Sequence, residues 1–158
     1  MSDQDLKTII VLTDFSSCAR NAAEYSLVLA GKFQANLLLF HSYFIPVSTF
    51  DNWPDTDYPA LRENSLSKLK REAERLNQLT AASENVYQPK IECLVEGGSL
   101  ADNITNLITE RENILMVVMG GYRARNNDDF QYGTVISDIL GNARCPAVIV
   151  PEFAFLTD

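Results

Sequence analysis

Residues 114–151 constrain the fold of this chain more than any other stretch. They contain two short apolar runs, at 115–119 and 147–150, which are rich in valine and isoleucine and are bounded by glycine or proline. Such runs are typical of strands buried on both faces of a parallel sheet. Between them lie a polar loop that contains glycines and a helical pattern over 135–140. The stretch therefore predicts a strand, a glycine loop, a helix and a second, parallel strand.

The rest of the chain repeats this alternation. Apolar runs at 8–13 and 37–41 and a weaker alternating pattern at 88–95 predict three further strands. Helical patterns follow these strands. The first should begin at a Ser16 or Ser17 cap and be broken at Gly31 and at residues 34–36, and the second should begin at Leu61. Strands that alternate with helices predict one α/β domain over residues 1–158, in which helices cover both faces of a parallel sheet.

A long irregular connection interrupts the pattern at about residues 43–60. It holds three of the six prolines, the only tryptophan (Trp53) and several acidic residues. Connections of this length without regular structure are usually functional or disordered. The aromatic residues favour a segment that packs on the body of the protein or on a partner.

The charge of the chain argues against two classes of partner. The formal net charge is −8. Nucleic acids and anionic membranes are bound through basic surfaces, so neither is expected as a general partner. No apolar run approaches the roughly 18 residues that cross a bilayer, and the first residues lack the pattern of a signal peptide. Three widely spaced cysteines do not suggest a disulfide framework, and we expect a cytoplasmic protein.

Several motifs, taken in order, resemble those of the universal stress protein family. The sequence TIIVLTDFS at 8–16 looks like the first strand of the family and its acidic residue, here Asp14. Gly120 follows the apolar run at 115–119 and matches the first glycine of the nucleotide-binding motif of the family. Gly133 and Thr134 match the last pair of that motif at the expected spacing. The resemblance covers nearly the whole chain.

The resemblance implies a Rossmann-like fold, similar to that of adenine nucleotide hydrolases, with strand order 3-2-1-4-5. In this order ligands bind outside the carboxyl ends of strands one and four, where Asp14 and Gly120 lie. Asp14 is expected either to accept hydrogen bonds from a ligand or to cap the turn into the first helix. The crevice implied for ATP or AMP has six residues: Asp14, Gly120, Gly121, Arg123, Gly133 and Thr134.

One position departs from the motif, because Arg123 stands where the family has its second glycine. The arginine side chain could obstruct the approach of the backbone to a triphosphate, or it could itself reach a phosphate. Asp128 and Asp129 add two negative charges to the same loop and would repel a phosphate at short range. We therefore expect ATP to bind weakly or not at all.

No constellation of residues points to catalysis. Ser16, Asp14 and His41 could be read as a hydrolytic triad, but no nucleophile elbow surrounds Ser16, and a hydrogen-bonded histidine at a strand end is favoured. The cysteines and His41 lack the spacing of metal ligands. We expect a stress-response protein that acts by binding and association, with a protein partner that is unknown. The alternatives are a switch that binds ATP or AMP, and a small hydrolase, which only analogy of fold supports.

The last predicted strand favours a homodimer. In the strand order of the family it lies at the edge of the sheet, and an apolar edge strand pairs with another chain unless it is covered. Pro151 removes an amide donor just past this strand, which favours one closed partner over open growth. Members of the family often dimerise through this strand. The predicted interface consists of Ala147, Val148, Ile149 and Val150.

Overall fold

All five predicted strands are present in one parallel sheet. The computed structural model describes residues 6–43, 58–82, 87–121 and 145–151. In chain order the strands are β1 (Thr8–Leu12), β2 (Asn36–Tyr43), β3 (Ile91–Gly97), β4 (Ile114–Gly121) and β5 (Ala147–Pro151). Each neighbouring pair is parallel, and the spatial order is β3-β2-β1-β4-β5. The predicted α/β fold and strand order are therefore confirmed.

Helices cover both faces of this sheet. The described helices are α1 (Ser17–Phe33), α2 (Tyr58–Ala81) and α3 (Leu100–Glu110). Helices α1 and α2 share one core with Ile9 and Val11 of β1, whereas α3 shares the other core with Ile10 and Leu12. Successive residues of a strand point to opposite faces, so β1 contributes to both cores and is buried throughout. This two-sided burial explains why its sequence is a continuous apolar run.

Helix α1 has a serine cap at its start and a left-handed residue at its end. The Ser16 hydroxyl accepts a hydrogen bond from the backbone N–H of Ala19 (3.1 Å), which confirms the predicted cap. The predicted break at Gly31 is wrong, because α1 continues to Phe33, whereas the predicted break at residues 34–36 is confirmed. Gln34 ends it with φ 51° and ψ 52°. A helix interior tolerates a glycine, and the chain leaves the helix only where a residue takes the left-handed conformation.

Helix α2 begins at Tyr58 rather than at the predicted Leu61. Pro59 therefore lies in the first turn, where a missing amide hydrogen costs no intrahelical hydrogen bond. Residues 44–57 of the predicted irregular connection lie outside the described residues. Strand β3 begins at Ile91 and runs to Gly97, which pairs with Tyr43 at the end of β2. The alternating pattern at 88–95 thus located the strand but not its ends.

Strand β4 is longer than its apolar run. The sequence predicted a strand over 115–119 and placed the two glycines in the following loop. In the structure Gly120 and Gly121 belong to β4, where they pair with Val150 and Pro151 of β5. Pairing between β4 and β5 continues beyond Met119, the last apolar side chain of β4, because backbone hydrogen bonds form whatever the side chain is. The helix predicted over 135–140 lies outside the described residues.

Candidate functional site

The carboxyl ends of β1 and β4 meet where the strand order reverses. The two strands are neighbours, and Val11 pairs with Val118. Asp14 lies three residues after Val11, and Gly121 lies three residues after Val118. In open parallel sheets, ligands bind in the crevice outside such strand ends. The structure thus brings Asp14 and the glycines of β4 to one edge of the sheet. Three other predicted crevice residues lie outside the described residues: Arg123, Gly133 and Thr134.

Asp14 holds the turn that leads from β1 into α1. Its side chain is exposed, and its Oδ1 accepts a hydrogen bond from the backbone N–H of Ser16 (3.0 Å). The Thr13 hydroxyl accepts another from the backbone N–H of Phe15 (3.0 Å). Side chains of this kind replace backbone partners in tight turns. The capping role expected for Asp14 is confirmed, and its contact with a ligand stays a prediction.

Both glycines of β4 lie in close contact with other parts of the chain, and at Gly120 the contact is with backbone. A Cβ on Gly120 would lie 2.8 Å from the carbonyl oxygen and 2.8 Å from the Sγ of Cys18, in the first turn of α1. A Cβ on Gly121 would lie 2.6 Å from Cγ2 of Ile149. The Cys18 thiol also donates a hydrogen bond to the carbonyl of Gly121 (3.2 Å). Gly120 therefore lets α1 approach β4 closely, and its presence alone does not indicate a ligand.

His41 has the structural role that the sequence favoured. Its Nδ1 lies 2.8 Å from the carbonyl oxygen of Thr13. Only a protonated ring nitrogen donates to a carbonyl, so the Nδ1 carries the hydrogen in this contact. The hydroxyl of Ser16 accepts from the backbone as the cap of α1. These contacts tie both side chains to the backbone, and the description of His41 as a hydrogen-bonded residue is confirmed.

Phe15 is the residue of this region that the sequence analysis missed. Its φ is 67°, in the left-handed region that bulky side chains rarely adopt. Its ring packs against His41 at a centroid distance of 4.5 Å, and the Lys68 ammonium lies 5.8 Å from its centroid. Strained backbone of this kind is concentrated at functional sites. No sequence signal predicts it, because left-handed residues are usually glycine, asparagine or aspartate.

Two of the cysteines are held as neutral thiols. Burial raises the pKa of Cys93 and of Cys145 above the ordinary thiol value, so the nucleophilic thiolate is disfavoured at both. In the described ranges, no group of three or more histidine, cysteine or acidic side chains is placed to hold a metal ion. The described helices also include none that is long and apolar enough to cross a bilayer.

Similarity to solved structures supports the fold. The universal stress protein UspA from Lactobacillus plantarum superposes with a TM-score of 0.66 at 17% identity, over 91% of this chain and 97% of the other. A universal stress protein in complex with cAMP gives 0.60 at 17% identity, over 93% and 98%. The universal stress protein from Archaeoglobus fulgidus in complex with dAMP gives 0.60 at 14% identity, over 92% and 97%. At these identities the likeness shows a shared fold.

Comparison of the sequence with known proteins and families is more specific than structural likeness. No curated protein matches the sequence, but a family does. The universal stress protein family matches residues 5–151, which include every described strand and helix. The chain therefore belongs to the universal stress protein family.

Proposed function

We propose that the protein is a cytoplasmic stress-response protein that acts by binding, and that the crevice beside Asp14 takes an adenine nucleotide weakly. The observation that carries this proposal is the exposed Asp14 carboxylate at the carboxyl end of β1, beside the end of β4. A carboxylate there can accept hydrogen bonds from an adenine amino group or a ribose hydroxyl. The cAMP and dAMP complexes of two similar structures support this ligand class.

The preferred ligand is a nucleotide monophosphate such as AMP, and ATP binds less well. A triphosphate needs a loop whose backbone can approach it closely, and Arg123 occupies the position of the glycine that would allow this. Asp128 and Asp129 place two negative charges in the same loop. A monophosphate carries less charge and extends less far than a triphosphate. The arginine side chain and the two aspartates therefore weaken the binding of AMP less than that of ATP.

Isothermal titration with AMP and with ATP tests the proposal. We expect AMP to bind with a dissociation constant of about 0.1–1 mM, and ATP to bind more weakly than AMP. Two variants separate the roles of Asp14. In Asp14→Asn the side-chain oxygen can still accept from the backbone N–H of Ser16, whereas in Asp14→Ala it is lost. If the carboxylate contacts the ligand, AMP binding weakens in both variants.

Micromolar ATP binding that is lost in Asp14→Ala would show that the crevice is instead an ATP-binding switch. A triple variant, Arg123→Gly with Asp128→Asn and Asp129→Asn, tests the reason for the weak binding. Its affinity for ATP should rise by roughly tenfold or more if obstruction and charge are the cause. An unchanged affinity would contradict that reason.

We also propose that two copies associate through β5. Among the described strands, β5 has a neighbour on one side only, and Ile149 in its centre is 43% exposed. Val148 and Val150, in contrast, pack into the core beneath α1. The two valines thus stabilise the subunit itself, whereas Ile149 points to the other face, since side chains alternate along a strand. Of the predicted interface residues, Ile149 is the one that probes association without disturbing the core.

Replacing Ile149 with lysine should convert the dimer to a monomer, because a two-fold axis brings the two new charges close together. Light scattering at micromolar concentration measures the change in mass. Val28→Lys is the matched control, since Val28 is 42% exposed but lies on α1. The control should remain dimeric. A monomeric unmodified protein would contradict the dimer, and a dimeric Ile149→Lys variant would contradict the β5 interface.

A further inference from the structure

A groove between α1 and α2 concentrates positive charge on a chain whose formal net charge is −8. Its volume is about 200 Å³, and we call it the α1–α2 groove. It is lined by Phe15, Arg20, Lys68, Arg71, Glu72 and Arg75. Four of these six residues are cations. Phe15 directly follows Asp14, whereas the other five lining residues belong to α1 and α2, and none of the six is a predicted residue of the crevice.

The cations of the groove fall into two groups. Arg75 is paired: its guanidinium donates to both carboxylate oxygens of Glu72 (2.6 and 3.0 Å) and to Glu24 (3.0 Å). Arg20, Lys68 and Arg71 are exposed, and within the described part of the chain none of them forms an ion pair with a carboxylate. Arg75 with its two carboxylates carries one net negative charge, and the other cations carry three positive charges. The groove therefore has a net charge of +2.

The backbone conformation at Phe15 fixes the position of the aromatic ring that lines the groove. This residue is held at φ 67°, a conformation that costs free energy for an aromatic side chain and persists only where the surroundings impose it. Held in this way, its ring forms one wall of the groove, with the Lys68 ammonium 5.8 Å from the ring centroid. The contact orients a lysine that would otherwise have a freely rotating side chain.

We propose that the α1–α2 groove binds a phosphate-bearing anion. Arginine presents paired N–H donors that match the oxygens of a phosphate, and lysine adds a point charge. The groove is smaller than the roughly 300–1,000 Å³ of pockets for drug-sized ligands, which favours a small group such as a diphosphate over a whole organic molecule. Its three exposed cations balance the charge of such a group. The proposal does not depend on nucleotide binding at Asp14.

Titration with inorganic pyrophosphate in low-salt buffer tests the site. We expect the unmodified protein to bind pyrophosphate, and the Lys68→Gln, Arg71→Gln double variant to bind it roughly tenfold or more weakly. The matched control is Arg62→Gln with Lys70→Gln, which removes the same charge from exposed positions of the same helix outside the groove. The control should change the affinity by less than roughly twofold, because exposed charges at a distance are screened. All four positions are exposed, so both variants should fold.

Two further ligands identify the source of the phosphate. If ADP binds more tightly than pyrophosphate, and the Lys68 and Arg71 changes lower its affinity, the groove binds the diphosphate of a nucleotide. Equal affinities for the two ligands would assign it to a free phosphate anion. Succinate that binds as tightly as pyrophosphate would overturn the preference for phosphate. An absence of pyrophosphate binding would overturn the site. Equal weakening by both double variants would also overturn it, since only the net charge of the protein would then matter.

Discussion

Replacing Gly120 with alanine should destabilise the protein by about 2–3 kcal/mol, because the added methyl group overpacks the contact between β4 and α1. The new Cβ would lie 2.8 Å from the backbone oxygen of Cys18, closer than real Cβ atoms come. Backbone cannot rotate away as a side chain can, so the first turn of α1 must move away from the sheet. Urea unfolding of the variant and of the unmodified protein measures the loss.

Gly31→Ala is the control, since a Cβ at Gly31 meets nothing within 4 Å and lies inside α1. That change should stabilise the protein by about 0.5–1 kcal/mol, through the higher helix propensity of alanine. Adding Cys18→Ala to Gly120→Ala should not restore stability, because it removes Sγ but leaves the carbonyl oxygen in place. A loss below about 0.5 kcal/mol for Gly120→Ala would contradict the packing role. Packing would then not explain the glycine at position 120, and close approach of a ligand would explain it better.

Replacing Arg75 with methionine should destabilise the protein by about 2–3 kcal/mol, because it leaves the carboxylate of Glu72 buried without its cation. Glu72 is 7% exposed and Arg75 is 25% exposed. The hydrogen bond to Glu72 raises the pKa of Arg75 further above its ordinary value, so the guanidinium is charged at every working pH. Methionine keeps most of the apolar stem of the side chain, so the loss reports mainly on the charge.

A more exposed ion pair, between the C-terminal cap of α3 and strand β3, provides the control. Arg111 and Glu92 are joined at 2.8 Å, but their side chains are 36% and 54% exposed. Arg111→Met should therefore cost only about 0–1 kcal/mol. Changing Glu72 to glutamine in the Arg75→Met background should recover part of the loss, because it removes the unpaired charge. If the double variant is no more stable than Arg75→Met alone, the buried charge is not the cause. Thermal unfolding of the four proteins at one pH makes the comparison.

The alternation of strand and helix was readable from the sequence because it depends on local pattern. Four apolar runs and one alternating pattern marked the five strands, and the Ser16 cap marked the start of α1. The ends of the elements were less well predicted. Strand β4 extends through Gly121 because β5 continues to pair with it, and α1 passes through Gly31 because Gln34 supplies the turn. Both outcomes depend on backbone conformation and pairing, which side-chain hydrophobicity does not encode.

The candidate site shows the same division. The resemblance located Asp14 and Gly120 correctly at neighbouring strand ends. It did not show that Gly120 is needed to accommodate Cys18, because those residues are far apart in sequence and meet only when α1 packs on the sheet. Lys68 and Arg71 likewise lie in the helix that the sequence predicted from Leu61, but their neighbours across the fold were not readable from it. Only packing of α2 beside α1 brings them to Phe15 and Arg20 around one groove.

Local sequence is enough to predict which segments become strands and helices and that helices cover both faces of the sheet, because hydrophobic periodicity and caps act over a few residues. Together with the family resemblance, it also determined which strand ends meet. Three properties depend instead on packing: Val150 faces the core while Ile149 faces solvent, α1 leaves no room for a side chain at Gly120, and Phe15 is held in a left-handed conformation. These properties arise from contacts between residues distant in the chain, which exist only once the elements have packed.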